Sequence, residues 1–536
     1  MIAPKLENKS DDLLDIKKSQ LEISDNKGIY ETETELEGEV EVRNEISVVN
    51  SKSDNEITSQ CTESSNQNLV KPILLCAMVS FGGFLLGWDI GTIGGIVNMP
   101  SFQENFGNTL SLETGTNYFT ETTKGLIVAI FNLAALVGGI TIPRVSSFWG
   151  RKIGMHISAV TYFVGILIQI IPNNNWIQFL VGRIIAGIAV GSYTVLVPMY
   201  VSESSPVKIR GSMIALYQLI ITLAIVLGNL LNYFCKTYIT DIHNNNTWRI
   251  PISLGLLWVA FVFIGVFFVP ESPQFLAKVK YDEIGAKKSL SIMNGVPEDN
   301  ILIKILLDDM FNESIERPNK TKKRFEFITG EPKLGLRLFI GVFVMGIQQL
   351  SGINYFFYYG TSIFNKVGIQ NPYLTAIILS SVNFFGTCWS IYFIEFFGRR
   401  GCLIIGATGM MLSLTIFSSI ASFGMHLKST GVIMIISTCV YVLFFATTLG
   451  PASFVLISEL YPIKTRVTSI SICSGFNWLM NFLVSFLTPI ITKHIGYKFG
   501  YIFVGSLVVG IIFDIFMLPE TKGRSENEIN EYYRKK

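Results

Sequence analysis

The chain has 536 residues, of which 49% are hydrophobic and 12% aromatic but only 15% charged, against about 25% charged in an average soluble domain. A water-facing globule of this size cannot hide so much apolar surface, which excludes a soluble fold and predicts a polytopic membrane protein. The formal charge of +2 hides an uneven split: residues 1–71 hold 8 basic and 16 acidic residues and the remainder 34 and 24, a basic balance between apolar segments that reads as membrane orientation, not a nucleic-acid surface.

The chain opens with Glu at 31, 33, 35, 37, 39 and 41, few aromatics and many Ser, Asn and Lys, so residues 1–71 are expected to form a disordered acidic tail. No charged-then-apolar stretch with a small-residue cleavage site lies near Met1, and the first apolar helix is expected to act as the insertion signal. Twelve apolar runs long enough to cross about 30 Å of hydrocarbon follow. They fall near 73–96, 125–143, 153–172, 176–200, 212–234, 250–270, 334–358, 373–396, 401–424, 431–457, 467–488 and 497–519. Loops after the second, fourth, eighth and tenth runs carry Arg144, Arg151, Lys152, Lys208, Arg210, Arg399, Arg400, Lys464 and Arg466, so these loops and both termini are expected on the cytoplasmic side. Residues 271–333 read as a cytoplasmic linker with short helices, joining a six-span half (72–270) to a second (334–519), and residues 520–536 as a short tail. Asn245-Asn246-Thr247 is a glycosylation sequon on an expected outside loop close to the membrane. The seven Cys and four His are dispersed, so no disulfide framework, metal site or cofactor is expected.

Three signals recur. Gly150-Arg151-Lys152 returns as Gly398-Arg399-Arg400, Pro270-Glu271-Ser272 as Pro519-Glu520-Thr521, and Ser202-Glu203 with Pro206 and Arg210 as Ser458-Glu459 with Pro462 and Arg466. Each pair sits at matching positions of the two halves, which predicts an all-α architecture of twelve transmembrane helices in two parallel six-helix repeats, with a substrate at their interface.

Polar groups inside the spans are the candidate site, because unpaired polar atoms in hydrocarbon cost several kcal/mol. Gln348, Gln349 and Asn354 bracket Ser351-Gly352 in span seven, where a glycine loosens the helix and lets the amides converge. An amide both donates and accepts, which suits sugar hydroxyls; the alternative is interhelical glue. Asn477 and Asn481 share a helix face beside Trp478, with Gln218 in span five and Asn383 in span eight. Asp89, the one carboxylate placed well inside a span, and Arg183 are expected to pair.

The run GWDIGTI at Gly87–Ile93, Gly182-Arg183, Pro198 with Tyr200 and Ser202-Glu203, PESP at Pro270–Pro273 and QQLSGINYFFYYG at Gln348–Gly360 together resemble the sugar porter family of the major facilitator superfamily, and within it the fungal hexose transporters, over about residues 70–525. The resemblance implies alternating-access transport of a monosaccharide, a hexose such as glucose or galactose, by a monomeric unit in the plasma membrane. It sets the amides named above around the sugar, with Phe445 and Phe454 stacking on its apolar face, although the second aromatic is usually Trp. It casts Asp89 either as half of a structural or gating pair or as a proton site, and Arg151, Glu203, Arg210, Glu271, Arg399, Glu459, Arg466 and Glu520 as a cytoplasmic latch between the halves. Gln274 and Ser147 replace the usual Arg and acid in the first half, whereas the second retains Glu395, so the first latch is expected to be the weaker. No GxxxxGK[ST] pattern supports a nucleotide-driven pump, and charges cluster only at helix ends, so no enzyme is expected. A nutrient sensor on the same fold would have to signal through the acidic N-terminal tail.

Overall fold

The computed structural model describes residues 69–110, 117–171, 175–206, 209–239, 241, 243–315, 326–366, 371–423, 430–524 and 526–535. The acidic tail lies outside them except for its last residues, as do Lys208 and residues 316–325 of the expected linker.

Nine helices among the described residues are long and apolar enough to cross a membrane, and the bent pair Val70–Ser80 and Gly82–Ile96 makes a tenth span. Two of the nine, of 51 and 50 residues, are more than twice the length a bilayer requires. Each breaks at a glycine of positive φ, Gly398 (74°) and Gly496 (58°), and dividing them there gives twelve passes. In chain order, span one is the bent pair, two Glu121–Trp149, three Arg151–Ile170, four Trp176–Ser204, five Arg210–Tyr238 and six Asn246–Phe268. Span seven is Leu334–Leu350 with Ile353–Lys366; spans eight and nine divide Pro372–Phe423; ten runs Thr430–Leu460, eleven Ile463–Ile495 and twelve Gly500–Met517.

Polar side chains satisfy the ends of several spans. Thr120 accepts the Thr123 N–H at the start of span two, and Asn175 the Ile177 N–H at the start of span four. Lys152 donates to the Phe267 carbonyl and Arg400 to those of Asp514 and Ile515, closing the last turns of spans six and twelve in the same way. The sequon is folded into the start of span six: Asn245 Oδ1 accepts from Asn105 and Trp248, and Thr247 is buried with its hydroxyl on the Asn244 carbonyl.

Between the halves, span two packs on span eleven, five on the helix that spans eight and nine divide, and one on the second piece of seven. After span six, Glu283–Asn294 and Ile301–Ile315 close a small core of Ala277, Ala286, Leu290, Val296, Ile303 and Leu307. Ser289 and Met293 dock it on the first half through the Glu271 carbonyl and the Tyr200 hydroxyl.

The C-terminal segment differs from the short tail read from sequence. Glu526–Lys535 is a helix whose Ile529 and Tyr533 are buried, and it is held by Arg337 of span seven. That guanidinium, fully buried, donates to the carbonyls of Leu460 and Ile529 and to Asn530 Oδ1, and lies 4.5 Å from the Tyr533 ring centre. A buried cation needs such a shell. Tyr533→Ala should therefore lower stability by about 3 kcal/mol, as expected for truncating a buried aromatic, read as an earlier thermal transition of the purified protein in detergent. An unchanged transition would mean the helix is not held through this ring.

Candidate functional site

Span seven breaks at Gly352, whose φ of 91° is open to glycine and strained for other residues. On a straight helix Gln349 and Asn354 would point about 140° apart. The break brings them together, and Asn354 Nδ2 donates to Gln349 Oε1 at 2.7 Å. Gln349 Nε2 reaches Asn477 Oδ1 at 3.0 Å, Asn477 Nδ2 reaches Gln348 Oε1 at 2.6 Å and the Met345 carbonyl at 2.9 Å, and Gln348 Nε2 donates to the Gly450 carbonyl at 3.0 Å. Four of the expected site residues thus form one closed amide network joining spans seven, ten and eleven, all of them buried. Tyr441 donates to the Ser351 carbonyl and braces the break.

The remaining expected residues stand apart. Asn481 lies one turn beyond Asn477 and has partners of its own. Gln218 and Asn383, on spans five and eight, have no side-chain hydrogen bond among the described residues and keep their full capacity to donate and accept. Trp478 is half-buried against the core. Phe445 opens a π-helical turn, Phe445–Leu449, just before Pro451, a distortion frequent at functional sites. Phe454 is 45% exposed.

Sequence reasoning missed Asn132 and the residues around it. Asn132 of span two is fully buried; its Nδ2 donates to Asn481 Oδ1 at 3.0 Å and Ser485 Oγ at 3.3 Å, and its Oδ1 accepts from the Tyr358 hydroxyl at 3.4 Å. A lone amide in the apolar run 125–143 was the available signal. Pro489, which has no N–H, frees the Ser485 carbonyl, and Tyr359 takes it at 2.7 Å.

Asp89 and Arg183 pair as expected, both buried. The guanidinium also donates to the carbonyls of Ile127 and Val128 and lies 4.6 Å from the Phe131 ring centre, fastening span four to span two. Asp89 is not the only carboxylate buried in a span: Asp514, in the last turn of span twelve, is a second.

The charged motifs pair differently from a latch between halves: each set closes on itself. Arg151 Nε and Nη2 grip Glu203 at 3.0 and 2.9 Å, and Glu271 accepts the N–H groups of Arg151, Lys152 and Ser272. The second half repeats this: Arg399 grips Glu459 at 2.7 Å, and Glu520 accepts the N–H groups of Arg399, Arg400, Thr521 and Lys522. Gly150 and Gly398 are required at the turns, since both have positive φ and a Cβ would meet the Glu271 or Glu520 carboxylate within 3 Å. Glu395 adds a contact to Arg399 at 3.7 Å. Arg210 and Arg466 donate to the backbone of their own loops, at Ser205 and Tyr461.

Hydrogen bonds between halves, among the described residues, lie at mid-depth or at the end opposite these basic loops. Lys124 Nζ holds Asn98 Oδ1 at 2.8 Å and Ser362 Oγ at 3.0 Å, Asn98 Nδ2 reaches Thr361, and Tyr373 donates to the Gly95 carbonyl. Gly94 lets the backbones touch there: a Cβ would stand 2.8 Å from the Phe357 carbonyl oxygen. The structure is sealed at the end away from the basic loops.

The two repeat carboxylates differ in charge balance. Burial raises the Glu271 carboxyl above its usual range despite its N–H donors; at Glu520 burial also pushes upward, but the N–H groups of Lys522, Arg399, Arg400 and Thr521 outweigh it and hold the carboxyl below that range. Ionised Glu520 therefore adds stability that is fully present above its unfolded value and fades as pH falls through its lower folded value; for Glu271 the sign is reversed. Glu520→Gln should lower the thermal transition at pH 7 more than Glu271→Gln, with the gap narrowing toward pH 4. Equal losses at both pH values would contradict the asymmetry.

The profile of the sugar (and other) transporter family matches residues 75–533, which include all but three residues of the C-terminal segment. Hexose transporter HXT14 of Saccharomyces cerevisiae is 44% identical over 486 residues, 88% of this chain and 90% of its own length. The low-affinity glucose transporter of Kluyveromyces lactis is 38% identical over 91% of this chain and 88% of its own. Among solved structures, the major facilitator superfamily proton:xylose symporter XylE bound to 6-bromo-6-deoxy-D-glucose superposes with a TM-score of 0.72 at 25% identity, over 87% of this chain and all of its own, and the inward-open form of XylE from E. coli with 0.69 at 26%, over 85% and 98%. The chain therefore belongs to the sugar (and other) transporter family, and is a multi-pass membrane carrier of sugar and not an enzyme.

Proposed function

We propose that this chain carries a hexose down its gradient across the plasma membrane by alternating access, as a monomeric unit with the basic loops and both termini in the cytoplasm. The observation that carries this reading is the amide network at the break of span seven, where four buried amides bond to one another and can exchange those bonds for sugar hydroxyls. The free amides of Gln218 and Asn383, the Asn481 amide, the Trp478 indole and the faces of Phe445 and Phe454 complete the contact set. The substrate class rests on the hexose and glucose transporters among the relatives.

In this reading the sealed end faces outward and the sugar site opens toward the cytoplasm. The charged clusters latch the halves together in the opposite state. Two guanidinium nitrogens support this, because Arg210 Nε and Arg399 Nη1 are buried with no hydrogen-bond partner among the described residues, as expected of donors whose acceptors lie across the interface in another conformation. The first-half latch, without an acid at Ser147 and with Gln274 after PESP, is the weaker.

A proton-coupled cycle is the second reading, favoured by the buried Asp89–Arg183 pair and by the proton:xylose symporter among the similar structures. Radiolabelled uptake of glucose, galactose, fructose, mannose and a disaccharide in cells lacking their own hexose carriers tests the substrate class, and transport of the disaccharide alone would overturn it. Uptake should equilibrate without accumulation and its initial rate should be unchanged by a protonophore; accumulation of a non-metabolised hexose that collapses with the proton gradient would establish coupling. Gln348→Ala and Asn354→Ala should each weaken sugar affinity by about fivefold, the worth of about 1 kcal/mol, with surface abundance unchanged. Wild-type kinetics with both replaced would reassign the network to packing.

A further inference from the structure

Asn481 is the site amide whose partners come from both halves. Its carbonyl oxygen accepts two hydrogen bonds, from Asn132 Nδ2 of span two at 3.0 Å and from Ser485 Oγ one turn along its own helix at 3.1 Å. A carbonyl oxygen has two lone pairs, so its accepting capacity is filled. What Asn481 can offer a ligand is its Nδ2, which only donates and lies beside the Tyr358 hydroxyl. Asn132 is fixed in turn: Tyr358 donates to its carbonyl, and the turn beneath it is clamped by Arg183, which holds the Ile127 and Val128 carbonyls and stacks on Phe131.

We propose that Asn132 is a positioning residue that makes the sugar site differ in chemistry between its two faces: while the outer end is sealed it occupies the Asn481 carbonyl, so Asn481 serves the sugar as donor alone, and when spans two and eleven part at that end the carbonyl is released to accept a sugar hydroxyl as well. The outward-facing site then holds one hydroxyl by a hydrogen bond that the inward-facing site lacks, which favours capture outside and release inside. The proposal rests on the reading that Asn481 touches sugar.

Fluorine in place of a hydroxyl can accept a hydrogen bond but cannot donate one, so it separates these roles. The measurement is inhibition of glucose transport by each monofluoro-glucose, relative to glucose itself, applied to the outer or the cytoplasmic face of sealed membrane vesicles. Comparing two sugars on one face cancels any shift in the conformational equilibrium, so a merely structural role for Asn132 leaves the ratio unmoved. In the wild type, one ring position should lose about threefold to tenfold in affinity on fluorination from outside and little from the cytoplasmic face. In Asn132→Ala the same loss should appear from both faces, and in Asn481→Ala from neither. A wild-type ratio that is the same on both faces, or a cytoplasmic ratio unmoved by Asn132→Ala, overturns the proposal. If Asn481→Ala leaves affinity for glucose unchanged on both faces, it is the underlying site reading that fails. Should Asn132→Ala not reach the membrane, Asn132→Val fills the space without a donor, and the wild-type comparison stands alone as a decisive test.

Discussion

A polar side chain at bilayer depth has no water to turn to, so it must find its partners within the protein, and that constraint shapes the proposed sugar site before any sugar arrives. The Gln348, Gln349, Asn354 and Asn477 amides bond to one another and to two backbone carbonyls. On the proposed reading, a sugar entering the site exchanges hydrogen bonds; it does not add them to an empty set. The net gain of each exchange is about 1 kcal/mol, well below the several kcal/mol of a bond made in vacuum. A carrier has to release what it binds, and a site whose groups have partners waiting holds its ligand only modestly.

The same constraint applied to charge yields the duplicated clusters at the basic end. An arginine at the water boundary of a helix bundle is stable beside a carboxylate, and the fold supplies one from a neighbouring span of the same half: Glu203 for Arg151, Glu459 for Arg399. The second carboxylate of each cluster faces no arginine head-on but the N-terminal N–H groups of the next span, where the helix dipole favours a negative charge. Each half thereby has its charges paired within itself, as the proposed rocking motion between halves requires. The halves are alike but unequal, since Glu520 has an extra N–H donor from Lys522 and Glu395 stands beside Arg399.

Much of this was legible in the sequence, for identifiable reasons. Apolar run length locates spans because hydrocarbon thickness fixes it, and the repeated GRK-like, SE and PE elements locate the clusters because each half needs the same turn. The pairing inside each cluster was not legible: Arg151–Glu203 and Arg399–Glu459 are separated by 52 and 60 positions, and only packing brings them together. The convergence at Gly352 could be foreseen because a glycine between amides breaks a known geometry, whereas Asn132 had no pattern around it and its partner lies in the other half. The C-terminal helix did carry a signal, Ile529 and Tyr533 four apart with a charged residue, Arg337, inside an apolar run to receive them. Its meaning needed the three-dimensional shell.

Opening at one end and closing at the other can be reversible only if the two seals are of similar worth. Driving a two-state equilibrium from 1:99 to 99:1 takes about 5.5 kcal/mol of differential binding, more than a few exchanged hydrogen bonds supply. The seal described here is made from neutral amides and hydroxyls around the single cation of Lys124, each bond modest in net value. The latch proposed for the other end exchanges ion pairs already made within each half for pairs across the interface, so its net worth is a difference between similar bonds. On this reading neither seal traps the carrier, and a sugar that bonds differently to Asn481 in the two states, as proposed, would shift the balance. Weak pairing at both gates is thus what allows a modest ligand to move a large structure.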